Sequence, residues 1–586
     1  MAEQNTALTV DDILSRHNIK AEEKPQEPET RTEPEQEQAS LDESEITTKI
    51  GRYVHRCWQE GRQAKSHVEQ TLLRCLRQRE GVYDPDKMQA IKEQGGSQIY
   101  MLLTQLKIRS AKAWIKELMT SGSKIPMGAQ ATPVSEIPQP VKQRIRSGIR
   151  QELNEAVQMG LYPKPEDIRK RVESVAADVL KAVQAFAETR AELMETYMHD
   201  QMQEGGYMEA LDELIDDFLT YPVAIMKGPY NIMGLHKKYQ FGYNEKVQVQ
   251  VEKGAMRKWK CVSPFDIYTS ADSRSLHDGW MIERMKLRRK TLYDLIGLPG
   301  YDESVIRAII DEYGDSGYRL PISNEAERNR LEGRHHDHFS NDATMDTINF
   351  WGSVRGEWLL EWGVPERMIP DKHDDYEANV IMVGRHVIRA AINPDPMRRR
   401  PYKDVSFERA NNSIWAGKGL AQVIKDLQDM CNATARALSN NMALASGPMV
   451  EISVDRLASG QGVQALMPWM QVQTRESKVG SGSGGRAINF FQPNSNANEL
   501  IGVFKFYSGL ADEYSGIPPY SMGSNVSGGA ASTASGLGML VEGAARGVKL
   551  AVASLDKVTE YTGQCLFDQI MLNDNVPHLK GDVKII

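Results

Sequence analysis

The side chains that could do chemistry are scattered along this chain, and their spacing decides what they can be. Gly480-Ser-Gly-Ser-Gly-Gly485 has the glycine content of a phosphate-cradling loop, but no Lys-Ser/Thr pair follows it and no strong apolar strand precedes it. Gly/Ser composition alone gives a flexible linker. Gly417-Lys418-Gly419 lacks the upstream glycine of a phosphate loop, and its glycines suit a turn that leads the chain into a helix. His335, His336, His338 and Asp337 cluster in a polar run. Metal ligands converge from rigid elements, often at i, i+4 on a helix, so an exposed loop is the expectation there. The sequence has no His-Glu-x-x-His, no Gly-x-Ser-x-Gly and no kinase signature. Among 79 carboxylates no unaligned pair marks an acid and a base. The expectation is a protein with no catalytic residues, no metal and no cofactor.

Other groups carry bland expectations too. Cys57, Cys75, Cys261, Cys431 and Cys565 are odd in number and include no Cys-x-x-Cys. That spacing fits reduced thiols in a cytoplasmic protein rather than a disulfide framework or a zinc ribbon. No N-terminal apolar segment or membrane-length apolar run is present. Met101, Met119, Met159, Met194 and Met198 are expected to fill helix interfaces. Arg288-Arg289-Lys290 and Arg398-Arg399-Arg400 are expected on solvated or intersubunit faces. The unusual segment is uncharged: no Asp, Glu, Lys or Arg occurs from Ser515 to Val541. A neutral loop between two helices can touch a polyanion without holding it, because no counterions are released.

The elements that must position these groups are mostly helical. Residues 1–45 hold 13 Asp/Glu and 4 Lys/Arg, and their Glu/Gln/Pro composition cannot offset ordering entropy. The remaining 541 residues are nearly neutral, at +1, against -8 for the whole chain of 586. That balance excludes a strongly basic nucleic-acid gripper. Three- and four-residue apolar steps predict helices over Ile46–Leu118, over Glu166–Glu204, which has neither Pro nor Gly, and over Met208–Leu219. Alternation at Val247, Val249 and Val251 predicts strands after Pro222. Arg284–Ile296 reads as helix, Gly314–Ala343 as loop, and Trp358–Trp362, Val380–Val383 and Val387–Ala390 as strands. Gly419 opens a predicted helix to Ala445, another runs from about Asn496 to Tyr514, and a last one from about Thr533 to Leu572.

Three stretches resemble one family. They are Val262-Ser-Pro-Phe-Asp-Ile-Tyr268 with Asp272 and Asp278-Gly-Trp280; Asn412-Ser-Ile-Trp415-Ala-Gly417-Lys-Gly419 running on through Asp426, Gln428, Asn432, Arg436 and Asn440-Asn441; and Tyr514-Ser-Gly516-Ile-Pro518 with Gly523 and Thr533-Ala-Ser-Gly536. In order and spacing they resemble the portal (head-to-tail connector) proteins of tailed bacteriophages, most closely those of short-tailed phages. The likeness covers roughly the second half of the chain. It implies a mixed, predominantly α fold with an inserted β-rich region, assembled as a dodecameric ring at one capsid vertex of the virion. Such rings nucleate procapsid assembly with the major capsid and scaffolding proteins and dock the terminase large subunit. They pass double-stranded DNA and later hold tail or adaptor proteins.

By that resemblance, residues 1–45 are a disordered tail, 46–416 the wing (β-rich over about 222–410), and 417–447 and 496–514 the stem helices. Residues 448–495 are the clip, 515–532 the tunnel loop, and 533–586 the final helix and C-terminal segment. The resemblance assigns Ser521, Ser524, Asn525, Ser527 and Ser532 to the DNA-facing loop. It assigns Arg456, Arg475, Lys478 and Arg486 to the terminase-facing clip. Trp415, Gly417, Gly419, Asp426, Gln428, Asn432 and Arg436 become stem and intersubunit positions. The alternatives are a virion scaffold or adaptor that forms no ring, and a nucleotide-dependent enzyme, which the missing nucleotide motifs disfavour.

Overall fold

A computed structural model describes residues 46–119, 125, 127–132, 139–160, 164–241, 247–322, 324–334, 344–410, 412–453, 488–517, 534–580 and 583–585. The fold is mixed, with long helices around several antiparallel sheets. The long helices are α1 (Lys49–Glu80), α2 (Leu103–Met119), α3 (Gln139–Gln158), α4 (Pro165–Glu204), α5 (Tyr207–Thr220), α6 (Lys425–Ala445), α7 (Ala497–Ser515) and α8 (Ala534–Asn573). The strands that matter below are β1 (Ala224–Phe241), β2 (Val247–Val262), β3 (Ile267–Thr269), β4 (Met281–Arg288), β5 (Thr344–Arg355), β6 (Asp375–Val383), β7 (His386–Ile392), β8 (Tyr402–Val405), β9 (Met449–Ile452) and β10 (Ile488–Phe491).

Helix α1 starts where Thr48 accepts the Gly51 amide and ends on the left-handed Gly81, at φ 72°. Its N-terminal half buries Ile50, Val54 and Trp58 against one face of the five-stranded sheet β3-β4-β5-β6-β7. Its C-terminal half buries Leu72, Leu73 and Leu76 in a larger core shared with α2, α5, the end of α4 and α8. One helix thus locks the sheet to the helical body. The second sheet, in the order β2-β1-β8, extends beyond that body as a ribbon, since β1 pairs with β8 only over Ala224–Lys227. Helix α4 spans ~60 Å at ~1.5 Å per residue, and its described buried residues begin at Ala191.

The first motif, Val262–Tyr268, is a structural hub. Lys65 from α1 is fully buried and donates to the carbonyls of Pro264, Phe265 and Ile267 at 2.6–2.7 Å. Asp266 gathers Arg284 and Arg328, whose guanidinium groups outweigh the effect of burial and hold its carboxyl below the usual range.

Several expected elements differ. Met281–Arg288 is a strand rather than the start of a helix, because its charged residues Glu283 and Arg284 are paired inside the sheet and not solvated on a helix face. Trp358–Trp362 lies in a helix, Gly356–Trp362. The expected loop Gly314–Ala343 includes a helix, Glu325–Leu331, with buried Arg328 and Asn329. Arg400 is buried on Glu377 and two carbonyls, and Arg399 pairs with Asp395 and Asp568, so of this cluster Arg398 alone is exposed. Met119, Met194 and Met198 are core residues, whereas Met159 is exposed.

Candidate functional site

The second motif builds a projecting helical hairpin. Gly417 and Gly419 carry the chain past the end of α5 with no room for a side chain. A Cβ on Gly417 would lie 2.6 Å from the Pro222 carbonyl, and one on Gly419 would lie 2.5 Å from that of Tyr221. Trp415 anchors this crossing through an indole N–H to Thr269 Oγ1 at 3.2 Å. A short turn, Leu420–Val423, is buried, and α6 then leaves the body at Ile424.

Four residues on α6 at steps of four, Gln428, Asn432, Arg436 and Asn440, face the extended segment that precedes α2. Asn440 Oδ1 accepts the Ser97 amide at 2.9 Å, and Asn432 Oδ1 accepts that of Met101 at 2.8 Å. Gln428 Oε1 accepts the Thr104 amide at 2.9 Å and its hydroxyl at 3.0 Å. Gln428 Nε2 donates to the Met101 carbonyl and to Asn432 Oδ1. Arg436 donates to the Tyr83 hydroxyl at 2.7 Å, which in turn donates to the Ile99 carbonyl. Helix rise makes the pitch match: eight residues from Asn432 to Asn440 climb ~12 Å, close to the ~13 Å that four extended residues span at most. Gln428, Asn432 and Arg436 therefore bind their own chain, while the Asp426 carboxylate is almost fully exposed, 3.7 Å from the Lys425 ammonium.

The returning helix α7 is fixed at its base. Lys107, buried in α2, forms an ion pair with Asp512 and donates to the Ile517 carbonyl. At the tip, Asn441 Oδ1 accepts the Asn496 amide, and Gln492 donates to the Ala445 carbonyl at 2.7 Å. Strands β9 and β10 pair antiparallel there, Met449 opposite Phe491 and Ile452 opposite Ile488. Lys107 was not singled out in the sequence, whereas Asn440 belongs to the second motif. The available signal was a lone lysine on the apolar face of α2, between Thr104, Ile108 and Ala111.

Among the described residues, most of this hairpin has no cover. Helix α7 buries just Ala511 and Ser515, while Ile501, Val503, Phe506 and Tyr514 are exposed, as are Met430, Met442 and Leu444 on α6 and Met449, Phe490 and Phe491 on the ribbon. Helix α6 is neutral in formal charge and α7 carries -2. The arrangement is an apolar, weakly charged arm suited to packing against another protein surface.

The candidate loop residues Ser521, Ser524, Asn525, Ser527 and Ser532 and the candidate clip residues Arg456, Arg475, Lys478 and Arg486 lie outside the described residues, as do His335, Asp337 and residues 1–45. Among the described residues no group of three or more His, Cys, Asp or Glu is placed to hold a metal ion, and no helix is long and apolar enough to cross a membrane. No protein-family model and no curated protein matches the chain.

Proposed function

We propose that this chain is the subunit of a phage portal ring, a homo-oligomeric conduit for double-stranded DNA at one capsid vertex. The observation that carries the proposal is the hairpin of α6 and α7, firmly rooted in the body yet presenting apolar side chains that no described residue covers. A closed ring repeats one head-to-tail contact, so each hairpin would be covered by its neighbours and the set would surround the axis. The loop that leaves α7 at Ile517 and returns to α8 at Ala534 carries no charged residue. Facing the axis, it would guide DNA without the counterion release that makes binding tight. The ribbon of β9 and β10 stands at the far end of the hairpin, where the segment 454–487 would meet the terminase large subunit during packaging and tail or adaptor proteins afterwards. Capsid and scaffolding proteins would contact the wing. On this proposal the protein is a structural component of the virion and not an enzyme.

Deletion of Ser521–Ala531 tests the assignment. The expected result is intact rings with impaired DNA packaging or retention in an infection assay. Failure of the rings to assemble, or normal packaging, would contradict it. ATP hydrolysis by the pure protein would point instead to an enzyme.

A further inference from the structure

A cleft far from the hairpin has the construction of a small-molecule site. It holds about 380 Å³ between the face of the five-stranded sheet, the root of the β1–β2 ribbon and the C-terminal end of α8. Sites for small ligands occupy ~300–1,000 Å³ and are mostly apolar with a few convergent polar groups. Met285, Leu287, Leu295, Ile381 and Ile392 supply aliphatic walls, and Pro394 stands among the prolines at the rim.

The polar groups of the cleft divide into satisfied and unsatisfied ones. Lys227, at the floor, is paired with Glu283, which also accepts from Tyr402 at 2.6 Å and from Asn349 at 3.3 Å. Asn379 donates to Asn349 at 2.6 Å. The acids of the wall, Asp395 and Asp568, are both held by Arg399. One donor remains. Arg389 stacks its guanidinium on Tyr301 at 5.1 Å, yet its buried Nε has no acceptor among the described residues. Among the described residues no carboxylate lies within ion-pair distance of it. Trp351 packs edge-on against Tyr402 at 6.3 Å, with its indole N–H turned to the Tyr402 hydroxyl. The orphan is a donor, so the missing partner supplies acceptors. A guanidinium in an apolar wall with no counterion is costly, and a carboxylate satisfies its planar fork in two parallel hydrogen bonds.

The sheet register sets the reach. Ile381 pairs with both Asn349 and Arg389, and Trp351 pairs with Asn379. Arg389 and Trp351 are thus two strands apart and two residues along, ~12 Å between Cα atoms on one face. We infer that this cleft binds a small amphipathic carboxylate, its head on Arg389 and its apolar body laid across Ile381 toward the ring of Trp351. The inference is independent of ring assembly.

Titration calorimetry of the full-length protein with sodium decanoate, and with decanol as the neutral match, tests it. The expected result is saturable binding of one decanoate per chain, weakened about tenfold or more by Arg389→Gln, with decanol similarly weaker. Bound decanoate should also slow alkylation of Cys565, a buried thiol in the wall of the cleft, while leaving Cys75 unchanged. Where Arg389→Gln lowers the folded yield, Cys565 protection on the wild-type protein decides. Absence of saturable binding at millimolar decanoate, equal binding of decanol, or no protection of Cys565 would overturn the inference.

Discussion

Replacing Gln428 with methionine should open the root of the hairpin while leaving its shape intact. Gln428 is 1 % exposed, and its amide satisfies the Thr104 N–H, at the start of α2, and the Met101 carbonyl. Methionine fills nearly the same volume but offers neither partner, so two buried backbone groups lose their hydrogen bonds. Each costs ~1–3 kcal/mol when orphaned, giving ~2–6 kcal/mol for local opening of the segment from Met101 to Leu106. At ~1.36 kcal/mol per factor of ten, the lower end corresponds to about 30-fold faster exchange. Amide hydrogen exchange resolved to this segment reads that change directly. Asp426→Ala is the control on the same helix, because its exposed carboxylate makes no buried hydrogen bond, and it should leave exchange there unchanged. Exchange in Gln428→Met within about threefold of wild type would refute the claim that this side chain ladder pins the extended segment to α6.

Gly419→Ala should lower the thermal unfolding midpoint, because the added Cβ meets the Tyr221 carbonyl at 2.5 Å and overpacking of this kind costs ~1–3 kcal/mol. Gly447→Ala, with open space around it, should not, and equal melting of the two variants would contradict the close-packing account. His277 is held down to about 4 by burial and then by Arg400 and Lys403, with Asp404 opposing and the Tyr561 ring packed alongside at 5.3 Å. Its folded state therefore takes up a proton less readily than the unfolded chain. The stabilisation is complete above pH ~6.5 and fades as pH falls through about 4, by up to ~3 kcal/mol. Urea midpoints at pH 7, 5.5 and 4 should show a shallower acid loss in His277→Gln, and an unchanged slope would contradict the assignment. Phe506→Ser removes an exposed ring from α7, so chain stability should stay within ~0.5 kcal/mol while the yield of assembled particles falls. Unchanged assembly would remove Phe506 from the interface.

The long helices were legible because their apolar residues recur at helical steps over many turns, whereas the helix end at Gly81, inside the stretch Ile46–Leu118, was not read. Errors arose where charge is buried. Glu283, Arg284 and Arg328 look solvated in sequence, but Glu283 pairs with Lys227 and both arginines pair with Asp266, and no local pattern records partners 18 to 62 residues away. The same holds at the candidate site. The motif around Gly417, Gly419 and Gln428 was visible as a pattern, yet the partners that explain it are the backbone of Pro222, Tyr221, Met101 and Thr104, which are far away along the chain. The cleft at Arg389 had no sequence signal, since its lining comes from five strands and α8, spread over more than 300 positions of the chain.

Electron microscopy of the purified full-length protein bears most directly on the portal proposal. The account predicts closed rings of about twelve subunits with a central hole, in which the α6–α7 hairpins line the hole and pack on their neighbours. Monomers, open filaments, or closed particles in which these hairpins point outward and remain uncovered would contradict it.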